Sequence, residues 1–487
     1  MQIGSLIQRA ALHYGDAPCL TEGSRTLSFR DFDRLTDRLG NALMAGGLAS
    51  GDRVGVLLPN GIDCLIAYYA LAKSGLVRVT LNSRETAEEQ RYKLGDTGAR
   101  GLIHDGDNTF GCEIGIARAD LPRLMAEGAN RPCEVERDPE APYRLGFTGG
   151  TTGRPKPVTI ATRGELWEIA ALLLDLVPGL GAGDVFLHAA PIAHASGAFF
   201  LPALVRGVHS VAMPKFDPAG FLELAVRTRA THTFLVPTML AMILEQPEIE
   251  RGRSVLRSIA YGASPIAASV LARAEARFGK VFVQDYGQAQ SPMVITFLAP
   301  EHHNRAGSCG RPFTCSEVAI MDDHNRLLPP GEAGEIVCRG PQLMAGYWNR
   351  PEETAEAMRG GWLHTGDIGR MDEDGFFYIL DRKNDMLISG GFNVYPREVE
   401  DVLLSCEGVV EAAVVGLPDE KWGDRVHAVV AGRPGLDADA VLARARQRLA
   451  AYKCPKAIEV WPELPKSAAN KILRRIVRDR IIARDRK

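Results

Sequence analysis

Residues 53–81 read RVGVLLPNGIDCLIAYYALAKSGLVRVTL. Arg53–Leu58 is a short apolar run, Ile62–Lys73 has helical length and pattern, and Val77–Leu81 is a second short run. The same alternation continues. Val185–Ala189, His209–Met213, Thr231–Leu235, Leu256–Ala260 and Val281–Gln284 read as buried strands, with helical stretches at Arg163–Val177, Ala219–Arg229 and Ile266–Phe278 between them. Apolar runs alternating with helices imply parallel sheets covered by helices, and the number of runs between about residues 50 and 285 predicts two sheets.

The pattern changes after about residue 305. Glu317–Met321, Gly334–Arg339 and Gly375–Leu380 are short, turn-bounded strands that predict a small β subdomain. From about residue 386 the chain reads as a compact α+β tail. Its strands are Val410–Val415 and Val426–Ala431, and a helix capped by Asp437 or Asp439 carries Leu442, Ala445, Leu449 and Tyr452 at helical spacing. Between the two regions, Asp381-Arg382-Lys383-Asn384-Asp385 is either a hinge or a solvated turn. The expected fold is α/β: an N-terminal region (1–381) of two helix-covered, mostly parallel sheets plus a β subdomain, a hinge (382–385), and a small mobile α+β C-terminal domain (386–487).

A chain of 487 residues is too long for one hydrophobic core. A formal charge of −3 gives no general attraction to nucleic acid or anionic membrane. No apolar run approaches the roughly 18–20 residues of a membrane span. Met1–Leu20 carries Gln8, Arg9, His13 and Asp16 where a signal peptide needs an apolar core. The nine cysteines show no C-x-x-C and no pairing rhythm, which favours idle thiols in a reducing compartment. A cytoplasmic, multidomain enzyme is expected.

Thr148-Gly149-Gly150-Thr151-Thr152-Gly153-Arg154-Pro155-Lys156 packs three glycines, three threonines and two cations into nine residues. Glycines let backbone N–H groups turn toward an anion, and threonine and lysine add donors and charge. An exposed Gly/Thr loop has the same composition, so by itself the stretch leaves both readings open. It is not a Walker A loop, because Lys156 lies between Pro155 and Pro157 rather than opening a helix. The dinucleotide spacing G-x-G-x-x-G is also missing. His302-His303 has no further ligand spacing and reads as loop rather than metal site.

Further segments follow in order: Gly262-Ala263-Ser264-Pro265, Asp285-Tyr286-Gly287-Gln288-Ala289-Gln290, Gly361–Asp367, Ser389–Pro396 and Pro465–Lys471. Together with the loop, they resemble the adenylate-forming superfamily of acyl- and aryl-CoA synthetases, adenylation domains and beetle luciferases. The resemblance runs from Phe29 to Arg475. It implies that a carboxylate attacks the α-phosphate of ATP, expels pyrophosphate and leaves an acyl adenylate, so that positioned cations and N–H donors supply most of the catalysis.

By resemblance, Thr148, Gly149, Gly150, Thr151, Thr152, Gly153 and Lys156 hold the phosphates, and Lys471 reaches the substrate carboxylate and α-phosphate. Asp367 takes the ribose hydroxyls, assisted by Arg382. Tyr286 stacks on adenine, with Gly262, Ala263, Ser264, Asp285 and Gly287 around the nucleotide. His194 orients the carboxylate and gates the acyl pocket, lined by His194, Phe234, Ala263, Gly287, Gln288 and Met293. Taken singly, Lys471 reads as a solvated lysine, Asp367 as a turn cap, Tyr286 as core and His194 as structural.

Several positions depart from the family pattern. Gly149 stands where a serine is usual and Pro157 where a glycine is usual; Ala289-Gln290 replaces Thr-Glu, whose glutamate helps hold Mg²⁺. Gln290 offers only a neutral carbonyl, so Mg²⁺ is expected to be held weakly there and mainly by phosphates and water. Asn470 replaces a glycine, and Asn384 sits where the hinge usually carries Asp or Lys. Thr233–Met239 holds no acid to bind an ammonium group, which disfavours a free amino acid and suits an aryl or short-to-medium alkyl carboxylate.

Ser389–Pro396, with Gly390 and Gly391, resembles the CoA-ligase version of its motif. The expected cofactors are therefore ATP, Mg²⁺ and CoA, and the expected product is a thioester. Transfer to an amine or a carrier protein, and a nucleotide-binding relative without turnover, are the alternatives. A homodimer is compatible with the resemblance.

Overall fold

The structure is a computed structural model. It describes all residues except 107, 149–153, 247–255, 384, 420–421, 467–471 and 486–487. The opening stretch folds as read. The strands Arg53–Leu57 and Val77–Thr80 pair in parallel, joined by the helix Ile62–Lys73, almost every residue of which is buried. They lie in a seven-stranded sheet that also contains Pro142–Phe147 and Pro157–Ala161, the antiparallel pair flanking the Gly/Thr loop.

Val185–His188, His209–Ala212, His232–Leu235, Ser258–Tyr261 and Phe282–Gln288 are parallel neighbours in a second sheet, as expected. Phe186, Phe234 and Phe282 from this sheet and Phe199 from the helical segment packed on it anchor a buried core. A second core, built on Phe29, Phe32, Tyr69 and Phe200, sits where the N-terminal helices meet. Each such large apolar side chain contributes on the order of 2–3 kcal/mol when fully buried.

Two features lie beyond the local pattern. The β subdomain continues the second sheet: Ser308–Pro312 pairs with Ser291–Leu298 on one side and Phe377–Arg382 on the other, carrying that sheet on to thirteen strands. Gly361–Asp367, whose Asp367 taken singly reads as a turn cap, mostly enters the nine-residue strand Leu363–Met371, between Ala333–Arg339 and Phe377–Arg382. Its glycine, histidine and aspartate hid the strand, because sheet pairing from both sides overrides weak local propensity.

Beyond Arg382, a five-stranded sheet forms within residues 387–460, packed on the helices Pro396–Leu404 and Ala438–Arg448. Asp437 caps the second helix by accepting from Asp439 and Ala440 N–H. Ser389-Gly390-Gly391-Phe392 is a hairpin turn between Leu387–Ser389 and Phe392–Val394. Gly390 and Gly391 have φ of 60° and 82°, the positive values that a two-residue hairpin demands. Among the described residues, no helix is long and apolar enough to cross a membrane.

Candidate active site

Three of the predicted residues, Tyr286, Asp367 and Arg382, meet within the second sheet. Asp367 lies directly opposite Arg382 in the antiparallel register, and Tyr286 reaches it from a different part of the same sheet. The Asp367 carboxylate is 3% exposed. Its Oδ2 accepts from Tyr286 OH at 2.5 Å and from Gln288 Nε2 at 2.6 Å, and its Oδ1 pairs with Arg382 Nε at 2.6 Å. Burial raises the Tyr286 phenol well above its ordinary range, so it stays a donor. The backbone N–H of Asp367 is held by Thr365 Oγ1 at 3.1 Å. Arg382, expected as the first hinge residue, is the last residue of its strand.

Gln288 was expected in the acyl pocket, but it turns its amide onto Asp367 and onto the Thr365 carbonyl at 2.9 Å. Tyr286 and Gln288 converge on the same carboxylate oxygen across a register shift in their strand. Gly287, between them, is required by close approach: a Cβ there would lie 2.4 Å from Met293 Cα. Met293 itself has φ of 56°. Ala289 and Gln290 form the turn between the strands, since Gln288 pairs with Ser291.

Gly262 follows the strand Ser258–Tyr261, and a Cβ there would lie 2.5 Å from Asp285 Oδ1. Ala263 is exposed with φ of 65°, a left-handed geometry uncommon for a residue with a Cβ. Ser264, next along this turn, is half-buried. Asp285 is buried, its Oδ1 has no hydrogen-bond partner, and desolvation pushes its carboxyl up to about 8.

His194 follows the strand Val185–His188, and its Nε2 lies 2.8 Å from Asn82 Nδ2. Below it, the buried His188 bonds Ser196 and Ser210, and burial lowers it to about 4. Phe234 is fully buried against Phe199, with ring centroids 5.7 Å apart, so it belongs to the core.

Thr148 and Lys156 close the base of the Gly/Thr loop. Thr148 N–H donates to the Lys156 carbonyl at 3.1 Å, and Lys156 N–H donates to Thr148 Oγ1 at 3.0 Å. Gly149, Gly150, Thr151, Thr152 and Gly153 lie outside the described residues. Pro157 opens its strand, a position where a missing N–H is tolerated. Lys156 Nζ pairs with Glu353 Oε2 at 2.5 Å and lies 5.3 Å from the Tyr347 ring centroid.

Gln290 Nε2 donates to Tyr347 OH at 3.0 Å, which leaves the amide carbonyl as the atom this side chain can offer a cation. Among the described residues, no group of three or more His, Cys, Asp or Glu could hold a metal ion. The donor set therefore fits a magnesium ion brought in on nucleotide phosphates better than one caged by protein carboxylates. Such an ion would supply charge neutralisation at the phosphates.

Lys471 and Asn384 also lie outside the described residues. The chain on either side of 467–471 is pinned: Lys466 pairs with Ile472, and Leu473 N–H donates to the Pro465 carbonyl at 2.9 Å. Arg474 then reaches Asp381 at 2.8 Å, Asp385 at 2.9 Å and Glu400 at 2.6 Å. Sequence reasoning missed Asn82, Tyr347, Glu353 and Arg474. Asn82 carried one usable signal, its position just beyond the carboxyl end of a parallel strand, where ligands of open α/β sheets bind. His302 and His303 are structural: one packs edge-on against Phe376, and the other meets Tyr261 OH at 3.1 Å.

Residues 7–348 match the family model for the AMP-binding enzymes, and residues 398–471 match that for the AMP-binding enzyme C-terminal domain. The chain is 37% identical to the medium/long-chain-fatty-acid–CoA ligase FadD8 of Mycobacterium tuberculosis, over 98% of this chain and 90% of that one. It is 36% identical to a feruloyl-CoA synthase of Amycolatopsis, over 98% and 99%. The o-succinylbenzoate–CoA synthetase of Bacillus subtilis, solved with ATP and magnesium ion, superposes with a TM-score of 0.89 at 31% identity, covering 96% of this chain and 98% of that one. On this fold and with these matches, the chain belongs to the AMP-binding, adenylate-forming enzymes, as an ATP-dependent ligase.

Proposed function

We propose that this enzyme converts an aryl or short-to-medium-chain carboxylic acid to its CoA thioester through an acyl adenylate. The observation that carries the nucleotide half is the Asp367 carboxylate, fixed between Tyr286 and Arg382 where ribose hydroxyls would donate to it. The substrate carboxylate oxygen attacks the α-phosphorus, the bond to the bridging oxygen breaks, and pyrophosphate leaves. The CoA thiol then attacks the acyl carbon, loses its proton and expels AMP.

In this reading, Lys471 and the 148–156 loop neutralise the charge that grows on the phosphates, and His194 orients the carboxylate. The body up to residue 381 and the body from 386 onward rotate about 382–385 between the two steps. The Gly390–Gly391 hairpin then presents itself to the pantetheine arm. The enzyme would work in the cytoplasm, where ATP and CoA are both available.

The test is a panel of benzoate-type, cinnamate-type and alkyl acids assayed by ATP–pyrophosphate exchange, followed by product mass with CoA or an amine supplied. Acid-dependent exchange, abolished in Lys471→Ala, and an acyl-CoA product are expected. An amide in place of the thioester would overturn the acceptor. Absence of exchange with every acid would overturn the activity.

A further inference from the structure

We propose that Asn82 is a positioning residue that fixes the His194 imidazole in one tautomer, with Nε2 unprotonated and the proton on Nδ1. Asn82 Nδ2 lies 2.8 Å from His194 Nε2, across 112 residues of sequence. The amide cannot be turned the other way round, because Asn82 Oδ1 already accepts the backbone N–H of Arg84 at 3.0 Å. A backbone N–H is only a donor, so it identifies the oxygen, and the nitrogen facing His194 must be the NH₂. An NH₂ group donates only. His194 Nε2 therefore accepts, and the neutral ring carries its hydrogen on Nδ1.

The turn that holds Asn82 is itself built rigidly. Asn82 is 5% exposed, and its carbonyl accepts from the buried Gln90 Nε2 at 3.2 Å. The same Gln90 amide bonds the Glu85 carbonyl at 3.1 Å. Glu85 pairs with Lys93, whose ammonium lies 4.6 Å from the ring centroid of Phe147, the residue before Thr148. Thr86 and Glu89 close a capping box that starts the helix Ala87–Thr97 directly after the turn. One short segment thus braces both His194 and the strand that carries the phosphate loop.

For the reaction, this makes His194 a neutral hydrogen-bond donor through Nδ1. It rests on the reading of His194 at the substrate carboxylate, whereas the tautomer itself does not. The primary test is long-range ¹H–¹⁵N NMR of the full-length protein labelled at histidine nitrogen, with the His194 signals identified by their loss in His194→Gln. The expected spectrum has a bare, pyridine-like Nε2 and a protonated Nδ1. A protonated Nε2 in the unsubstituted protein overturns the proposal.

Asn82→Asp replaces the donor with an acceptor, so His194 Nε2 should gain a proton. The KM for the acid should rise at least tenfold, with the KM for ATP changing less than twofold. Arg84→Pro removes the N–H that pins the amide while leaving Asn82 in place, and should give a mixture of both tautomers. An unchanged His194 spectrum in both variants overturns the positioning role. A tautomer swap with unchanged acid KM overturns the placement of His194 at the acid, and with it Asn82's part in the reaction.

Discussion

Tyr286 donates its hydroxyl to Asp367 Oδ2 at 2.5 Å, joining two strands that lie 81 residues apart in sequence. With Gln288 and Arg382 on the same carboxylate, at least three of its roughly four lone-pair sites are engaged before any ribose arrives. A ribose diol must therefore share or displace a donor, and the anionic charge is what lets Asp367 serve several donors at once. Asp367→Asn keeps the shape but has a single acceptor oxygen. Hydrogen bonds to charged groups contribute about 1.5–3 kcal/mol each, so kcat/KM for ATP should fall on the order of 10- to 100-fold. Pyrophosphate exchange against ATP concentration measures it, and Tyr286→Phe should show a smaller loss.

Gln290 sits in the tight turn before Ser291, with its amide nitrogen on Tyr347. Gln290→Glu would place a carboxylate where the neutral carbonyl now stands, and hard divalent cations prefer the charged oxygen. The Mg²⁺ concentration for half-maximal adenylation should fall several-fold. If the Mg²⁺ titration does not move, Gln290 does not face the metal.

Arg474 gathers Asp381, Asp385 and Glu400, all mostly buried, around one guanidinium. Asp381 is the next-to-last residue of a strand of the large sheet, while Glu400 lies on the first helix beyond it, so the cluster ties the two parts of the chain together. Removing the cation from a buried cluster leaves uncompensated carboxylates and costs about 3 kcal/mol. Arg474→Ala should melt at lower temperature and be cut faster by protease around residues 382–386. Arg474→Lys should recover only part of the loss, because an ammonium lacks the planar fork.

The raised carboxyl of Asp285 sets a pH dependence of stability. Its folded value of about 8 lies above the ordinary aspartate value, so between about pH 4 and 8 the folded state holds a proton that the unfolded chain has released. This group's contribution to stability therefore declines as pH rises through that window, and the penalty is complete above it. Asp285→Asn removes the titration. Its melting temperature relative to the unsubstituted protein should rise steadily from pH 4 to pH 8, and a flat difference across that range would contradict the assignment.

The alternation of short apolar runs and helices determined by itself the two parallel sheets, because backbone periodicity and burial are written in near neighbours. The order of the glycine-rich, tyrosine, aspartate and lysine segments likewise determined the family. Sequence could not say that Gln288 would turn to Asp367, that Asn82 would meet His194, or that Glu353 would pair with Lys156. Those pairings join residues from about 80 to about 200 positions apart. Sheet register and loop closure set their geometry, and no local pattern encodes either. The strand Leu363–Met371 was hidden for the same reason: its weak local propensity is overridden by partners on both sides, and only the folded sheet supplies them.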